Sequence, residues 1–191
     1  MIIRQLELGH MDNFCYLVGC EKTRKAMMID PGADVERIMA EAEKERLVIE
    51  TIVNTHGHAD HTAGSAKLKA LTGAHIIMHA LDAAAVPEAD VRLTGDQDLP
   101  LGAIRFKVIH TPGHTPGGIC LYAAPHLFTG DTMFVGGVGR TDFPGGDPRA
   151  LARSIAVRLA PLPASTLVHP GHGPDTTIGR EQRVNPFWPR K

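Results

Sequence analysis

The feature that most constrains this chain is a run of six residues, HGHADH, that directly follows an apolar, β-branched segment. The segment at 50–55 is predicted to be a strand, and a tight turn after it would point His56 and His58 towards one centre. Asp60 and His61 follow at once and can point towards a second centre nearby. Imidazole and carboxylate groups are typical ligands of zinc and similar ions. A polar surface loop is the alternative, but four such groups in six residues favour a metal site.

Three further short motifs each follow an apolar strand and place His or Asp beside glycine. TPGHTPG contains His114, TGD contains Asp131, and HPGH contains His169 and His172. In isolation, His114 would be a structural loop histidine and Asp131 a turn or helix-cap residue. Beside the first motif both become candidate ligands, and the two oxygens of a carboxylate allow Asp131 to bridge two ions. His172 lies between glycines, whereas His169 lies within the strand and is interpreted as a packed or supporting residue.

The other polar candidates have weaker context. Asp30, in IDPG, is either a turn residue or a residue that orients a ligand histidine. Arg140, in GVGRTDFPGGD, either meets a substrate carboxylate or pairs with Asp142 or Asp147, and we favour the pairing. The remaining histidines are assigned to the surface or the core: His10, His75, His79, His110 and His126.

Apolar patterning predicts a mixture of strands and helices. Strands are expected at 2–8, 14–18, 26–29, 50–55, 75–78, 103–109, 118–122, 127–129 and 166–168, and helices at 34–47 (capped by Asp34), 62–71 and 147–159. Hairpin-like stretches at the start and in the middle favour two sheets packed face to face with helices outside. Strand ends that carry the His and Asp motifs would form one site if they meet at one edge.

Size and charge narrow the class of protein. A length of 191 residues suits one domain, and a net charge of −1 lacks the positive field that nucleic-acid binding needs. No apolar stretch is long enough to span a bilayer, so no membrane partner is expected. Three cysteines and the absence of a recognisable leader favour a reducing compartment, which we interpret as the cytoplasm. Nothing in the sequence indicates an oligomeric state.

Taken in order, HxHxDH, a His after a strand, GD and GH resemble the metallo-β-lactamase-fold superfamily over nearly the whole chain. Within it, THGHADH, TPGHTPGG, TGDTMFVGGVGRTDFPGGD and PGHGP resemble the short bacterial glyoxalase-II-like hydrolases. The resemblance implies an α+β fold, a four-layer αββα sandwich with two mixed sheets. It assigns one metal ion to His56, His58 and His114, and the other to Asp60, His61 and His172, with Asp131 bridging both. Asp60 and Asp131 are also the expected catalytic residues.

The implied reaction is hydrolysis of a small-molecule, 2-hydroxyacyl-glutathione-type thioester through a metal-bridging hydroxide. The expected cofactors are two divalent metal ions, zinc in the first place, with iron and manganese as alternatives. Full-length glyoxalase II carries a C-terminal helical domain that helps to bind the glutathione thioester. This chain ends at Lys191, so we expect a single domain over 1–191 without that helical domain.

Two other functions compete with this one. A mononuclear iron persulfide dioxygenase of the same superfamily shares THxHADH and GRTDF, and it would use His56, His114 and Asp131. Its last motif resembles PAHDY, whereas this chain has PGHGP. A non-catalytic metal-binding or partner-binding protein is disfavoured because every ligand position is filled.

Overall fold

Two six-stranded sheets form the centre of the protein, in a computed structural model that describes residues 1–9 and 13–189. The first sheet contains, in spatial order, β1 (Ile2–Leu8), β2 (Asn13–Gly19), β3 (Lys25–Ile29), β4 (Val48–Val53), β5 (His75–His79) and β6 (Val91–Leu93). The second contains β7 (Gln97–Leu101), β8 (Ile104–His110), β9 (Ile119–Ala123), β10 (His126–Gly130), β13 (Leu167–Pro170) and β14 (Thr176–Thr177). A separate hairpin pairs β11 (Met133–Phe134) with β12 (Gly137–Val138).

The helices are short and lie outside the sheets. They are α1 (Val35–Lys44), α2 (Ala59–Thr62), α3 (Ser65–Thr72), α4 (Pro148–Ser154), which a π-helical stretch (Ile155–Leu159) continues, and α5 (Ile178–Val184), with one 3₁₀ turn at Ala83–Ala85. Among the described residues, no helix is both long and apolar enough to cross a bilayer.

The apolar core has three layers, because successive side chains of a strand point to opposite faces. Along β2, Tyr16 and Val18 face the second sheet, while Cys15 and Leu17 face α1 and α3. The third layer lies on the outer face of the second sheet and is closed by α4 and α5. The predicted four-layer αββα sandwich is therefore confirmed.

Most predicted elements are present, and the differences have local causes. The helix predicted at 62–71 begins later, at Ser65, because Gly64, whose N–H bonds to Pro31 O over 2.8 Å, separates it from the short helix α2 that ends at Thr62. Asp34 precedes α1, but its φ of 45° is left-handed and its side chain makes no capping bond, so the predicted cap is wrong. Gly73 ends α3 as predicted, with a φ of 72°.

The direction of the strands decides where the chain can build a site. β3 and β4 are parallel, as are β10 and β13, and β8 runs the same way as β10 because both are antiparallel to β9. Within each sheet, the residues that follow these strands therefore lie at one edge.

Candidate metal centre

The seven predicted ligands lie at these strand ends. His56 and His58 follow β4, and Asp60 and His61 lie in α2 immediately after them. The other three follow strands of the second sheet: His114 follows β8, Asp131 follows β10 and His172 follows β13. The structure brings all seven together between the edges of the two sheets.

One cluster contains His56, His58 and His114, whose nearest ligand atoms all lie within 4.8 Å of one another. His114 Nε2 lies 2.9 Å from His58 Nδ1. His56 is buried, and its Nε2 atom has no hydrogen-bond partner among the described residues. Three ring nitrogens that converge in this way fit the coordination of one metal ion.

A second cluster contains Asp60, His61 and His172, with ligand atoms again within 4.8 Å of one another. His61 Nε2 lies 3.3 Å from His172 Nε2, and Asp60 Oδ2 lies 3.7 Å from each of these nitrogens.

Asp131 lies between the two clusters. Its Oδ2 is 3.5 Å from His114 Nε2 in the first cluster and 3.5 Å from His172 Nε2 in the second, while its Oδ1 is 3.4 Å from His61 Nε2. The Oδ1 atom is buried without a hydrogen-bond partner in the part of the chain that is described. A carboxylate that bridges two metal ions would require this position between the two clusters.

Hydrogen bonds fix the ring protons of two candidate ligand histidines on the side away from the centre. Asp30 Oδ2 lies 3.2 Å from His61 Nδ1, so the carboxylate holds the proton there and leaves Nε2 as the ligand atom. Arg140 contributes its backbone carbonyl, which accepts a 2.7 Å bond from His114 Nδ1. Asp30 therefore orients a candidate ligand histidine, which is one of its two predicted roles.

His56 is oriented through Thr55. The Thr55 hydroxyl donates to Asp30 Oδ2 over 2.6 Å, so it accepts from His56 Nδ1 at 3.1 Å and again leaves Nε2 facing inwards. Asp30 also forms a three-residue ligand-type group with His56 and His61. Both of its oxygens are already bonded to Thr55 or His61, which makes it a support and not a ligand.

Sequence reasoning missed two residues that brace this loop. Asn54 is fully buried, donates to His61 O over 3.0 Å and accepts from Ser65 Oγ over 2.9 Å. Asn13 donates to Asp60 O over 2.8 Å. Asn54 stands two residues before His56, and that adjacency is the signal that the sequence offers for it, whereas Asn13 is far from the motif in the sequence.

The protonation of the ligands follows from burial and charge. Burial, together with the neighbouring histidines, lowers the pKa of His56 well below its ordinary value, which favours the neutral ring that binds metals. Burial alone would lower the pKa of His61, but Asp30 and the nearby carboxylates raise it to about 9. A metal ion at His61 Nε2 must therefore displace a proton.

These contacts fit a pair of metal ions better than a metal-free polar cluster. Ring nitrogens of His114 and His58 converge to 2.9 Å, and the buried atoms His56 Nε2 and Asp131 Oδ1 have no hydrogen-bond partner among the described residues. Unpaired buried polar atoms are costly, and two cations would satisfy them.

The histidines assigned elsewhere lie outside these clusters. His169 is packed as predicted: it stacks on Phe128 at 4.9 Å and bonds to His126 and Asp175, each at 2.9 Å. His79 is buried and stacks on His110 at 4.1 Å, and His75 is exposed. His10 lies outside the described residues.

The rim of the centre carries two aromatic rings. Phe143 meets His58 edge-on at 5.5 Å, and Phe134 meets His172 edge-on at 5.9 Å. Arg140 pairs with Asp142 through two bonds of 2.7 Å and lies 3.9 Å above the Phe143 ring. The predicted Arg140–Asp142 pairing is confirmed.

Fold and site together define a metal-binding hydrolase of the αββα class. The family description "Metallo-beta-lactamase superfamily" matches residues 8–172, and the chain belongs to that superfamily. Hydroxyacylglutathione hydrolase GloC of Haemophilus influenzae is 37% identical over 185 residues, which are 86% of this chain and 87% of that protein. A hydroxyacylglutathione hydrolase of Polaromonas sp. is 38% identical over 90% of this chain and 66% of its own length.

Three solved structures that share this fold have names that point to different proteins. BLEG-1, a B3 metallo-beta-lactamase, has a TM-score of 0.89 and 33% identity over 97% of this chain and 99% of its own. ETHE1 from Myxococcus xanthus has a TM-score of 0.91 and 36% identity over 97% of this chain and 84% of its own. TTHA1623, in a di-iron-bound form, has a TM-score of 0.86 and 36% identity over 96% of this chain and 99% of its own. The His and Asp clusters and the di-iron neighbour point to two divalent metal ions.

Proposed function

We propose that this protein hydrolyses 2-hydroxyacyl thioesters of the glutathione type, using two metal ions. The observation that carries the proposal is the position of Asp131, whose carboxylate lies 3.4–3.5 Å from nitrogens of both three-residue clusters. Zinc is the proposed metal, since imidazole and carboxylate ligands suit it. The similarity to two hydroxyacylglutathione hydrolases supports the substrate class.

Each cluster has a defined part in this proposal. One ion would be held by His56, His58 and His114. The other would be held by Asp60, His61 and His172. Asp131 would contribute to both. Two ions so held would supply Lewis-acid chemistry, because they would lower the pKa of bound water and polarise a carbonyl oxygen. Asp30, Thr55 and the Arg140 carbonyl keep the ligand rings turned inwards, so the chain pays no reorganisation cost during the reaction.

The chemistry of the leaving group decides whether the reaction needs a general acid. Cleavage of the acyl carbon–sulfur bond releases a thiolate, which leaves without a proton, so no general acid is required. None of the three cysteines lies among the clustered residues, which argues against a thiol nucleophile. The products are a 2-hydroxy acid and a free thiol.

A persulfide dioxygenase is the second candidate, because the resemblance to ETHE1 favours it. That activity would need one iron on His56, His114 and Asp131. Gly171 argues against it. In PAHDY an alanine takes its place, and a Cβ here would lie 2.4 Å from Asp131 Oδ1 and 2.7 Å from His61 Cε1.

Metal analysis combined with a substrate panel tests the proposal. The protein is reconstituted with zinc or with iron, and its metals are counted. Each form is then assayed with S-D-lactoylglutathione, a simple acyl thioester, a β-lactam and glutathione persulfide. We expect two ions per chain, turnover of the 2-hydroxyacyl thioester and negligible turnover of the β-lactam.

Two other outcomes of these assays would contradict the proposal. One iron per chain, with oxygen uptake on glutathione persulfide, would assign the dioxygenase activity. Two ions with β-lactam turnover and no thioester turnover would keep the metal centre and reject the substrate class.

A further inference from the structure

Asp82 lies outside the ligand motifs, yet it contacts two of the loops that carry ligands. It follows β5, in the connection to β6, and its side chain is almost fully buried at 8% exposure. One oxygen, Oδ2, accepts from the N–H of Gly57 over 3.0 Å. The other, Oδ1, accepts from the N–H of Gly117 over 2.8 Å.

The two glycines have particular places in the sequence. Gly57 separates His56 from His58, and Gly117 lies three residues after His114. A single carboxylate therefore ties together the two segments that carry the whole first cluster. The second cluster is braced differently, by Asp30 and Asn54.

Packing shows why both positions are glycine. A Cβ at 117 would lie 2.6 Å from Asp82 Cγ and 2.7 Å from its Oδ1, so any side chain there would push the carboxylate away. A Cβ at 57 would lie 3.3 Å from Asp82 Cβ and 3.1 Å from Ala85 Cβ. The glycines allow the backbone to approach Asp82 closely enough for both bonds.

Asp82 is itself fixed to the sheet. Its N–H bonds to His79 O over 3.1 Å, and its carbonyl accepts from the N–H of Ala85 over 3.0 Å. The carboxylate therefore has a fixed position, and the loops that contain Gly57 and Gly117 are both hydrogen-bonded to it.

We propose that Asp82 is a positioning residue for the metal site formed by His56, His58 and His114. It sets the distance between the His56–His58 loop and the His114 loop, and it does not touch the second set of ligands. This inference rests on the ligand sets proposed above but not on the thioester as substrate.

Asp82→Asn is the direct test. Asparagine has nearly the same shape but only one acceptor oxygen, so its NH₂ group must face one of the two glycine N–H donors. Two backgrounds separate the sites: His172→Ala leaves the first ligand set intact, and His114→Ala leaves the second intact. Metal-free protein is titrated with Co²⁺, and binding is followed by the visible absorption of the ion.

We expect Asp82→Asn to weaken Co²⁺ binding by about 10- to 100-fold in the His172→Ala background. In the His114→Ala background the affinity should stay the same. Asp90→Asn is the matched control, because Asp90 also follows β5 and also accepts from a backbone N–H, that of Ile76 at 2.8 Å. It should change neither affinity.

Equal losses in both backgrounds, or no loss in the first, would overturn the inference. If circular dichroism shows that Asp82→Asn does not fold, Gly117→Ala strains the same contact from the other side and must show the same selective loss. Its failure to do so would also reject the inference. The experiment measures metal affinity and not thioester turnover. Its result can therefore be interpreted even if the protein does not hydrolyse thioesters.

Discussion

At the scale of single residues, the metal centre depends on a glycine as much as on its ligands. Gly171 directly precedes His172, and its N–H bonds to Gly130 O over 2.9 Å. An added Cβ would come within 2.4 Å of Asp131 Oδ1 and 2.7 Å of His61 Cε1, which is closer than such atoms approach one another. The absence of a side chain at 171 leaves room for Asp131 between the two clusters.

Gly171→Ala should therefore weaken the second metal site more than the first, because the added Cβ meets His61 as well as Asp131. Asp131 Oδ1 would move away from His61, and we expect the affinity for the second ion to fall by about 10- to 100-fold. Metal counting after dialysis at limiting zinc measures this, and the content should fall from two ions towards one. Gly137→Ala is the control, because a Cβ there meets no atom within 4 Å. Two tightly bound ions in Gly171→Ala would contradict the argument.

At the scale of elements, α5 holds the hairpin that forms one rim of the site. Glu181 in α5 is fully buried and accepts from the N–H of Gly136 over 2.7 Å and from Thr176 Oγ1 over 2.6 Å. Asn185 donates to Gly137 O over 3.0 Å. Because Phe134 lies on the same hairpin and meets His172, this network connects α5 to the centre.

Glu181→Gln should destabilise the fold in a pH-dependent way. Burial alone would raise the pKa of Glu181, but its hydrogen bonds, from Thr176 and Gly136 among others, lower it below 4.5. A carboxyl whose pKa is lowered by folding stabilises the folded protein above its unfolded pKa of about 4.3, and this contribution is lost as the pH falls through the folded value. We expect a loss of about 1–3 kcal/mol at pH 7.

Urea unfolding of wild type and variant at several pH values measures this difference. The gap should be constant from pH 7 down to about 5 and should narrow as the pH falls below the unfolded pKa of about 4.3, because the unfolded carboxyl takes up a proton before the folded one. Glu50→Gln is the control, since Glu50 is half-exposed and pairs with Lys25 at the surface. It should cost no more than about 1 kcal/mol. A gap that does not change with pH would exclude the charge as the cause.

At the scale of the whole molecule, the metal ions would connect the two sheets. His56 and His58 follow a strand of the first sheet, whereas His114, Asp131 and His172 follow strands of the second. Binding energy at the centre therefore stabilises the packing of one sheet against the other.

Removal of the metals should lower the free energy of unfolding. At free zinc about 1,000 times the dissociation constant, one bound ion contributes about 4 kcal/mol. Urea unfolding with zinc and with a chelator measures the difference, and the same comparison on Asp131→Ala should give a smaller one. Equal stability of wild type with and without metal would mean that the centre does not join the sheets.

The local pattern of the sequence was sufficient to predict two packed sheets and the seven candidate ligands, and the family resemblance implied the αββα sandwich and the division of the ligands between two metal ions. Alternating apolar residues identify strands, and ligands that directly follow strands must lie at a sheet edge. The strands β6, β7, β11, β12 and β14 and the helix α5 were missed, because they are short, exposed or polar and show no clear periodicity. The single-domain and cytoplasmic assignments stay predictions.

Only the tertiary structure decided what holds the ligands in place. Asp30 bonds to His61 across 31 positions of the chain, Asp82 to Gly117 across 35, and Glu181 to Gly136 across 45. A local sequence pattern does not reveal such pairs, because they form only when separate strands and loops pack against each other. The sequence by itself therefore determined which residues can bind metal ions, and the packing of the two sheets decided how those residues are oriented, braced and spaced.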